Sequence, residues 1–178
     1  MRIWEQAEAD DIKYNGELTA GDAANRGRVD EYPKLLVPIL KMSEELKTVD
    51  TLVHGGPDDW EKALKIIQQP QYEKTAFKRT FNKFADNIYY GDPDRANLYL
   101  GGGTTPRSEQ SLAYLLRNDI LTNLEALQAE LEYLLKEKDD PGDLYKYSAN
   151  TNLAMNDYLK NVSPDEMAKA KSLLASDQ

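Results

Sequence analysis

The sequence predicts an all-α protein: an up-down antiparallel four-helix bundle with an extended N-terminal arm and a short extra C-terminal helix. Apolar residues recur at spacings of three and four over long stretches, as on one face of a helix. Strand-like alternation never extends beyond a few residues, and proline and glycine clusters divide the periodic stretches. We therefore expect an arm at residues 1–27, a bundle at residues 28–162, and a short helix with a tail at residues 163–178.

The first 27 residues lack sustained periodicity and end in small and polar side chains. This pattern indicates an extended arm with little helix. Trp4 and Tyr14 are its candidate anchors for a partner protein, because buried aromatic side chains carry much of the energy of many interfaces. For Trp4 two interpretations stay open: it packs back on its own domain, or it inserts into a partner.

The first helix is expected from about Asp30, with Pro33 in its opening turn. An apolar stripe along it indicates one buried face (Tyr32, Leu35, Leu36, Ile39, Leu40, Leu46, Val49 and Val53). Pro38 lies deeper in the helix and removes a backbone donor, so a kink or a later helix start is expected there. The sequence HGGP at residues 54–57 predicts the end of this helix.

The second helix is expected to begin with Asp58 or Asp59 as its cap. Its first inward-facing residues are predicted to be Trp60, Ala63, Leu64 and Ile67. Pro70 interrupts the run, and a second apolar stripe then resumes (Phe77, Phe81, Phe84 and Ile88). The helix is expected to close at residues 90–93, where a turn-rich connector begins.

The third helix, from about Ser108 to Lys138, carries the strongest periodic signal in the chain. Its seam steps by four and three residues, which is typical of the core face of a bundle helix (Leu112, Leu116, Ile120, Leu124, Leu127, Leu131 and Leu134). A fourth helix is expected from about Asp143 to Val162. The sequence SPDE at residues 163–166 predicts a capping box that starts the last short helix.

Residues 60–86 form a basic island in an acidic chain. They contain six Lys or Arg and three Asp or Glu, a net charge of +3, whereas the full chain is −9 and the remainder therefore −12. Lys74, Lys78, Arg79 and Lys83 are expected beside the apolar stripe, outside the core. Such a surface fits docking onto a negatively charged partner, and it equally fits a solvated helix face.

The composition offers little enzymatic chemistry. The chain has no cysteine, which excludes thiolate catalysis and disulfides, and a pI of about 4.7, which argues against nucleic acid as a partner. The single histidine, His54, has no acidic or nucleophilic partner at a recurring spacing. The glycine-rich loop at residues 101–105 lacks the lysine of a phosphate loop. We therefore predict a protein that is not an enzyme, with no catalytic residue, cofactor or metal site.

A different class of function stays open beside partner binding. A helical bundle can hold a small ligand or cofactor between its helices. Tyr147, Met155 and Tyr158 are the side chains expected to line such a pocket. The absorption spectrum of natively purified protein distinguishes this alternative from a docking protein, because a bound pigment or haem absorbs visible light.

Three segments resemble those of the PsbQ-like extrinsic subunits of photosystem II, especially those of diatoms and related red-lineage algae. They are WEKAL at residues 60–64, FKRTFN at residues 77–82 and YLLRNDI at residues 114–120. The last is similar to the family's Tyr-Leu-Arg-Tyr-Asp-Leu signature. The likeness covers residues 28–162. The triglycine connector, the proline breaks and the extra C-terminal helix depart from the family pattern.

The resemblance implies a location in the thylakoid lumen of a chloroplast, peripheral on the lumenal side of the thylakoid membrane through protein contacts. Its partners are then the lumenal domains of the photosystem II core and other extrinsic subunits. Such a subunit stabilises the oxygen-evolving complex and helps retain calcium and chloride without catalysing a reaction. On this interpretation the cations of the basic island steer docking, while Trp4 and Tyr14 supply buried anchors.

Overall fold

The computed structural model describes residues 32–86 and 105–176, the side chains of residues 105–109 excepted. Every regular element in those ranges is helical, which confirms the predicted all-α class. The helices are α1 (Tyr32–Val53), α2 (Pro57–Ile67), α3 (Lys74–Ala85), α4 (Thr105–Leu134), α5 (Gly142–Lys160) and α6 (Pro164–Ser176), with a 3-10 turn (Pro70–Tyr72) between α2 and α3. No helix in the described ranges has both the length and the apolar character needed to cross a bilayer.

Helix α1 lies at the centre of the packing. It packs against α2, α3, α5 and α6, while α4 packs against α2, α3 and α5. The largest fully buried side chains come from α1 to α5 and form one core (Leu36, Ile39, Leu46, Ile67, Phe77, Phe81, Phe84, Ile120, Leu124, Leu127, Leu131 and Tyr158). Removing this apolar surface from water is the main favourable term in folding.

Helix α1 tolerates an internal proline. It runs from Tyr32 to Val53 with Pro38 inside it, so the later start expected at Pro38 is not observed. Pro38 and Lys34 are both exposed. The Lys34 carbonyl, which loses its donor at Pro38, therefore lies on the side of the helix where solvent can satisfy it. The helix ends at Val53, as the HGGP sequence predicts.

Helix α2 starts from a glycine and not from an aspartate cap, so the predicted capping role of Asp58 or Asp59 is wrong. Gly56 is the N-cap residue, with φ 104°, and Pro57 is the first helical residue. The Gly56 carbonyl accepts hydrogen bonds from the Asp59 and Trp60 N–H groups, each at 3.0 Å. The two aspartates instead occupy the first turn, where their charge favours the positive end of the helix dipole.

The seam of α4 is confirmed in its C-terminal part and wrong at its start. Ile120 and the later seam residues are buried, but Leu112 is 41% exposed and Leu116 only half-buried. Ala113 and Arg117 are buried in their place. The reason is the helical period: two successive steps of four residues rotate the side chain by about 80° away from the buried face.

The C-terminal helices attach to α1. The Glu166 N–H donates to Ser163 Oγ at 3.3 Å, which is the cap expected at the start of α6. Ala170 on α6 is fully buried where α6 packs on α1. On α5, the buried Ser148 donates through Oγ to Asp50 Oδ1 at 2.7 Å and so joins α5 to the last turn of α1.

Candidate docking surface

Helix α3 carries the predicted docking cations. The 3-10 turn before it fixes the start of this helix against α1. The Tyr72 hydroxyl donates to Glu45 Oε2 at 2.7 Å. Burial, followed by this hydrogen bond to a carboxylate, raises the pKa of Tyr72, so the hydroxyl stays a donor. The Glu73 carboxylate then accepts from the Ala76 N–H at 3.3 Å and caps α3. The start of α3 is thus fixed by Tyr72, the last residue of the turn, and by Glu73 directly after it.

One face of α3 belongs to an aromatic cluster, which we define as Tyr32, Phe77, Phe81, Phe84 and Tyr158. The rings of Phe77 and Phe81 stack with centroids 4.4 Å apart, and those of Tyr32 and Phe84 stack at 4.9 Å. The Tyr158 and Phe81 rings meet edge to face, with centroids 4.9 Å apart. The prediction that Phe77, Phe81 and Phe84 belong to the core is therefore confirmed.

The four cations of α3 do not share one environment. Lys74 and Arg79 are exposed and Lys83 is half-buried. Lys78 is only 7% exposed, so the expectation that it lies outside the core is wrong. It precedes Asn82 by one turn, and Asn82 contacts α4, so both face the boundary between α3 and α4. The lysine methylenes can bury against apolar surface in such a position.

Lys74 and Arg79 leave positive charge at the surface. Helix α3 contains four cations and no acidic residue. Among the described residues, neither Lys74 nor Arg79 forms an ion pair, whereas Lys62 on α2 pairs with Asp59 at 2.6 Å. Lys74 and Arg79 are five residues apart and therefore lie about 140° apart around α3. Exposed positive charge on a negatively charged protein attracts anionic surfaces over roughly a Debye length, about 8 Å at physiological salt. This exposed pair is the centre of the candidate docking surface.

The anchors predicted on the arm, Trp4 and Tyr14, lie outside the described residues. The same is true of Ile88 and the connector that follows it. The described part of the candidate docking surface therefore consists of α3 and the helices that support it.

A polar network, which we define as Asn82, Asp86, Tyr114, Arg117 and Asn118, ties the end of α3 to α4. Arg117 donates to Asn82 Oδ1 through Nη1 and to Asn118 Oδ1 through Nη2, the latter at 2.8 Å. Its guanidinium carbon lies 5.3 Å from the centre of the Tyr114 ring. The Tyr114 hydroxyl donates to Asp86 Oδ1. The cost of burying the charge of Arg117 is thereby offset by charge-assisted hydrogen bonds and a cation–π contact.

Sequence reasoning missed this network, although a signal was present. Arg117 precedes Ile120 by three residues and Leu124 by seven, so it falls on the buried face of α4. A charged residue on an apolar face predicts a buried partner, because an unpaired buried charge is costly. Asn82 is also buried, but no such signal marks it, since it lies about 100° around α3 from Phe81.

The buried phenol of Tyr158, next to the network, acts as a hydrogen-bond donor. Burial raises the pKa of Tyr158, while Arg117 lowers it and Asp86 raises it further. Its hydroxyl donates to the Phe81 carbonyl oxygen at 3.4 Å. Burial also raises the pKa of Tyr32. Both hydroxyls therefore stay protonated at physiological pH, and that of Tyr158 joins α5 to α3.

The residues of the alternative ligand site take part in core packing. Met155 and Tyr158 are buried, and Tyr147 is half-buried against the hydrophobic core. The Tyr158 ring contacts Phe81 and, at 6.3 Å between centroids, Phe84. These contacts place the aromatic ring of Tyr158 within the helix interfaces themselves.

His54 lies at the exposed C-terminal end of α1. Its Nδ1 is 2.7 Å from the Asp50 carbonyl oxygen, and its ring stacks on Tyr145 with centroids 4.7 Å apart. A histidine in this position interacts with the negative end of a helix dipole. Within residues 32–86 and 105–176, no group of three or more His, Asp or Glu side chains could hold a metal ion.

The candidate docking surface thus consists of two exposed cations on a helix that an aromatic cluster and a buried arginine hold in place. It can attract a negatively charged partner, and the helix that carries the cations is already held in place. Comparison with known proteins adds no relative: no family model, curated protein or solved structure matches the chain.

Proposed function

We propose that this chain is a non-catalytic extrinsic subunit of photosystem II of the PsbQ-like kind. It docks on the lumenal side of the thylakoid membrane, stabilises the oxygen-evolving complex and helps retain calcium and chloride. The observation that carries the proposal is α3, which exposes Lys74 and Arg79 and contains no acidic residue in a chain of net charge −9. Such a helix favours one orientation on an acidic partner surface and leaves the acidic bulk turned away.

The proposed architecture is an up-down four-helix bundle in which α2 and α3 together form one broken helix. Short turns join α1 to α2 and α4 to α5, which favours antiparallel neighbours. The α2–α3 pair packs on both α1 and α4, and α5 also packs on both, as four helices around one core do. The break at Pro70 lets α3 turn independently of α2, and α6 adds to the outside of α1.

The segments that carry the family resemblance support the proposal by their positions. The segments at residues 77–82 and 114–120 lie on different helices and contact each other through Asn82 and Arg117. They therefore form one structural unit, next to the exposed cations. Lys78, which was expected to touch the partner, instead supports the α3–α4 boundary, so direct docking is assigned to Lys74 and Arg79. Trp4 and Tyr14 remain the proposed anchors on the arm.

Rebinding to photosystem II membranes washed free of extrinsic subunits tests the docking role. The double variant Lys74→Glu, Arg79→Glu should bind about tenfold or more weakly than the wild-type chain, because reversed charges repel an acidic partner. Its binding should also depend less on salt. The matched control is Lys146→Glu, Lys171→Glu, which makes the same change in net charge at exposed positions on α5 and α6.

The two double variants distinguish a localised docking surface from a general effect of net charge. Equal weakening by both double variants contradicts a localised docking surface on α3. Rebound wild-type chain should also restore oxygen evolution when calcium and chloride are low. Binding without that recovery contradicts the role in ion retention, while leaving the docking surface intact.

A further inference from the structure

The carboxylate of Glu166, in the first turn of α6, is largely buried and has one oxygen without a donor. The side chain is 15% exposed, and its Oε2 atom is buried with no hydrogen-bond partner among the described residues. The Oε1 atom lies 3.8 Å from Lys169 Nζ, which is too far for a hydrogen bond. The second bond of a capping box, from the Ser163 N–H, does not reach Oε2 either. Because a buried carboxylate oxygen without a donor is costly, we expect its donor outside the described residues.

This carboxylate lies next to the start of α1. Burial, then Tyr158 and then Glu166 raise the pKa of Tyr32, the first residue of α1, so the charge of Glu166 acts on the Tyr32 hydroxyl. Helices α6 and α1 pack together, and Ala170, one turn after Glu166, is fully buried. A donor for Oε2 must therefore reach the boundary between α6 and the first turn of α1.

The segment that leads into α1 has the chemistry to supply this donor. Its sequence is RGRVDE at residues 26–31, and it contains two arginines. A guanidinium offers several N–H donors and keeps its charge when buried, so it suits a buried carboxylate. Asp30 and Glu31 carry the same charge as Glu166, and they strengthen the need for a cation at this boundary.

The length of the chain favours Arg28 over Arg26. Arg28 precedes Tyr32 by four residues, so their Cα atoms are at most about 14 Å apart. Arg26 is attached through a longer segment, which lowers its effective concentration at Glu166. The arginine with the shorter connection is therefore the expected partner.

We infer that the boundary between α1 and α6 binds the segment before α1 through an ion pair between Arg28 and Glu166. The Arg28 guanidinium donates to Glu166 Oε2, while Lys169 stays at the solvent side of the same carboxylate. This pair fixes where the residues before Arg28 leave the helices. The inference goes beyond the proposed function and does not depend on it, since it concerns the purified chain alone.

Urea unfolding of Glu166→Gln distinguishes a paired carboxylate from an unpaired one. In the wild-type chain this substitution should raise the equilibrium constant of unfolding about tenfold, and in Arg28→Gln it should have no such effect. Asp165→Asn is the matched control, because it removes the same charge at an exposed position of the same turn. A buried carboxylate without a partner predicts the opposite sign, since its neutralisation stabilises the fold. Stabilisation by Glu166→Gln, or an equal loss with and without Arg28, overturns the pair.

Trypsin cleavage of the full chain supplies the second measurement. An arginine bound to a carboxylate cannot enter the protease, so the bond after Arg28 should be cut slowly. Glu166→Gln should speed this cleavage about tenfold, whereas Asp165→Asn should not. Cleavage after Lys13 in the same digest is the internal reference and should stay constant. An unchanged rate after Arg28 in Glu166→Gln, or coupling of Glu166 to Arg26 in place of Arg28, overturns the inference.

Discussion

The two ends of the helix array are held together by different interactions. At one end, which we call the aromatic end, the aromatic cluster is buried beside Arg117 and its polar network. At the other, the turn end, α1 meets α2 and α4 meets α5 through exposed turns. There Trp60 Nε1 donates to the Val53 carbonyl at 2.8 Å, and His54 stacks on Tyr145. The aromatic end combines stacked rings with a buried polar network, whereas the turn end adds local bonds at exposed turns to a core that includes the buried Val53 and Leu144.

This difference indicates which end of the structure is rigid and at which end repulsion between charges matters. The proposed docking cations extend from the aromatic end, where packed rings hold α3 in one orientation. A preorganised surface loses less conformational entropy when it binds. The turn end instead concentrates acidic side chains around Glu130, where partial burial and then repulsion from Asp143 and Asp139 raise the pKa of Glu130.

Truncation at the aromatic end should have the largest effect. Phe81→Ala removes a fully buried ring that contacts both Phe77 and Tyr158, and it should lower the free energy of unfolding by about 3–5 kcal/mol. Urea unfolding followed by circular dichroism measures this change. Leu153→Ala, at an exposed position on α5, is the control and should change stability by no more than about 0.5 kcal/mol. Similar losses in both variants contradict the contrast between buried and exposed positions.

The polar network should give the next largest effect. Arg117→Ala and Asn82→Ala should each destabilise the fold by about 1.5–3 kcal/mol, because each leaves a buried polar partner unsatisfied. The double variant should cost less than the sum of the two, with a coupling of about 1.5 kcal/mol. A double-mutant cycle by equilibrium unfolding measures it. Losses that add within about 0.5 kcal/mol mean that the two side chains contribute independently.

Sequence periodicity was sufficient to predict the helices and much of the core. The buried phenylalanines of α3 and the seam of α4 from Ile120 onward follow directly from the helical repeat. The errors arose where the four-residue spacing was extended along the helix without following the angular position of each side chain. Leu112 continues the four-residue step but rotates off the buried face, and Ala113 takes its place.

The candidate site was less predictable than the fold. Helical spacing placed Lys78 beside the apolar stripe, but only the packing of α3 against α4 decides that this side is buried. The network around Arg117 joins residues 35 positions apart in sequence, Asn82 and Arg117, and helical spacing within one segment carries no information about such a pair. The prediction for the start of α2 was wrong for a local reason. Gly56, with its positive φ, is the N-cap residue, where an aspartate was expected.

The turn end should give the smallest effect, and one that depends on pH. Partial burial, then Asp143 and Asp139, raise the pKa of Glu130. The folded chain therefore holds this proton more tightly than the unfolded chain, so the contribution of Glu130 to stability is greatest at low pH. It is lost as the pH rises through the unfolded and then the folded pKa. Glu130→Gln cannot ionise and should be more stable than wild type at neutral pH, with the difference vanishing in acid.

Urea unfolding of wild type and Glu130→Gln at acidic and neutral pH measures this change. Glu125→Gln is the matched control, because it neutralises an exposed glutamate on the same helix. An equal gain from both variants means that the net charge of α4 sets the effect, and the crowding at the turn end then has no special role. A gain confined to Glu130→Gln shows that stability at this end is limited by repulsion among acids. At the aromatic end, in contrast, neutral substitutions should only destabilise, since burial and shape hold that end together.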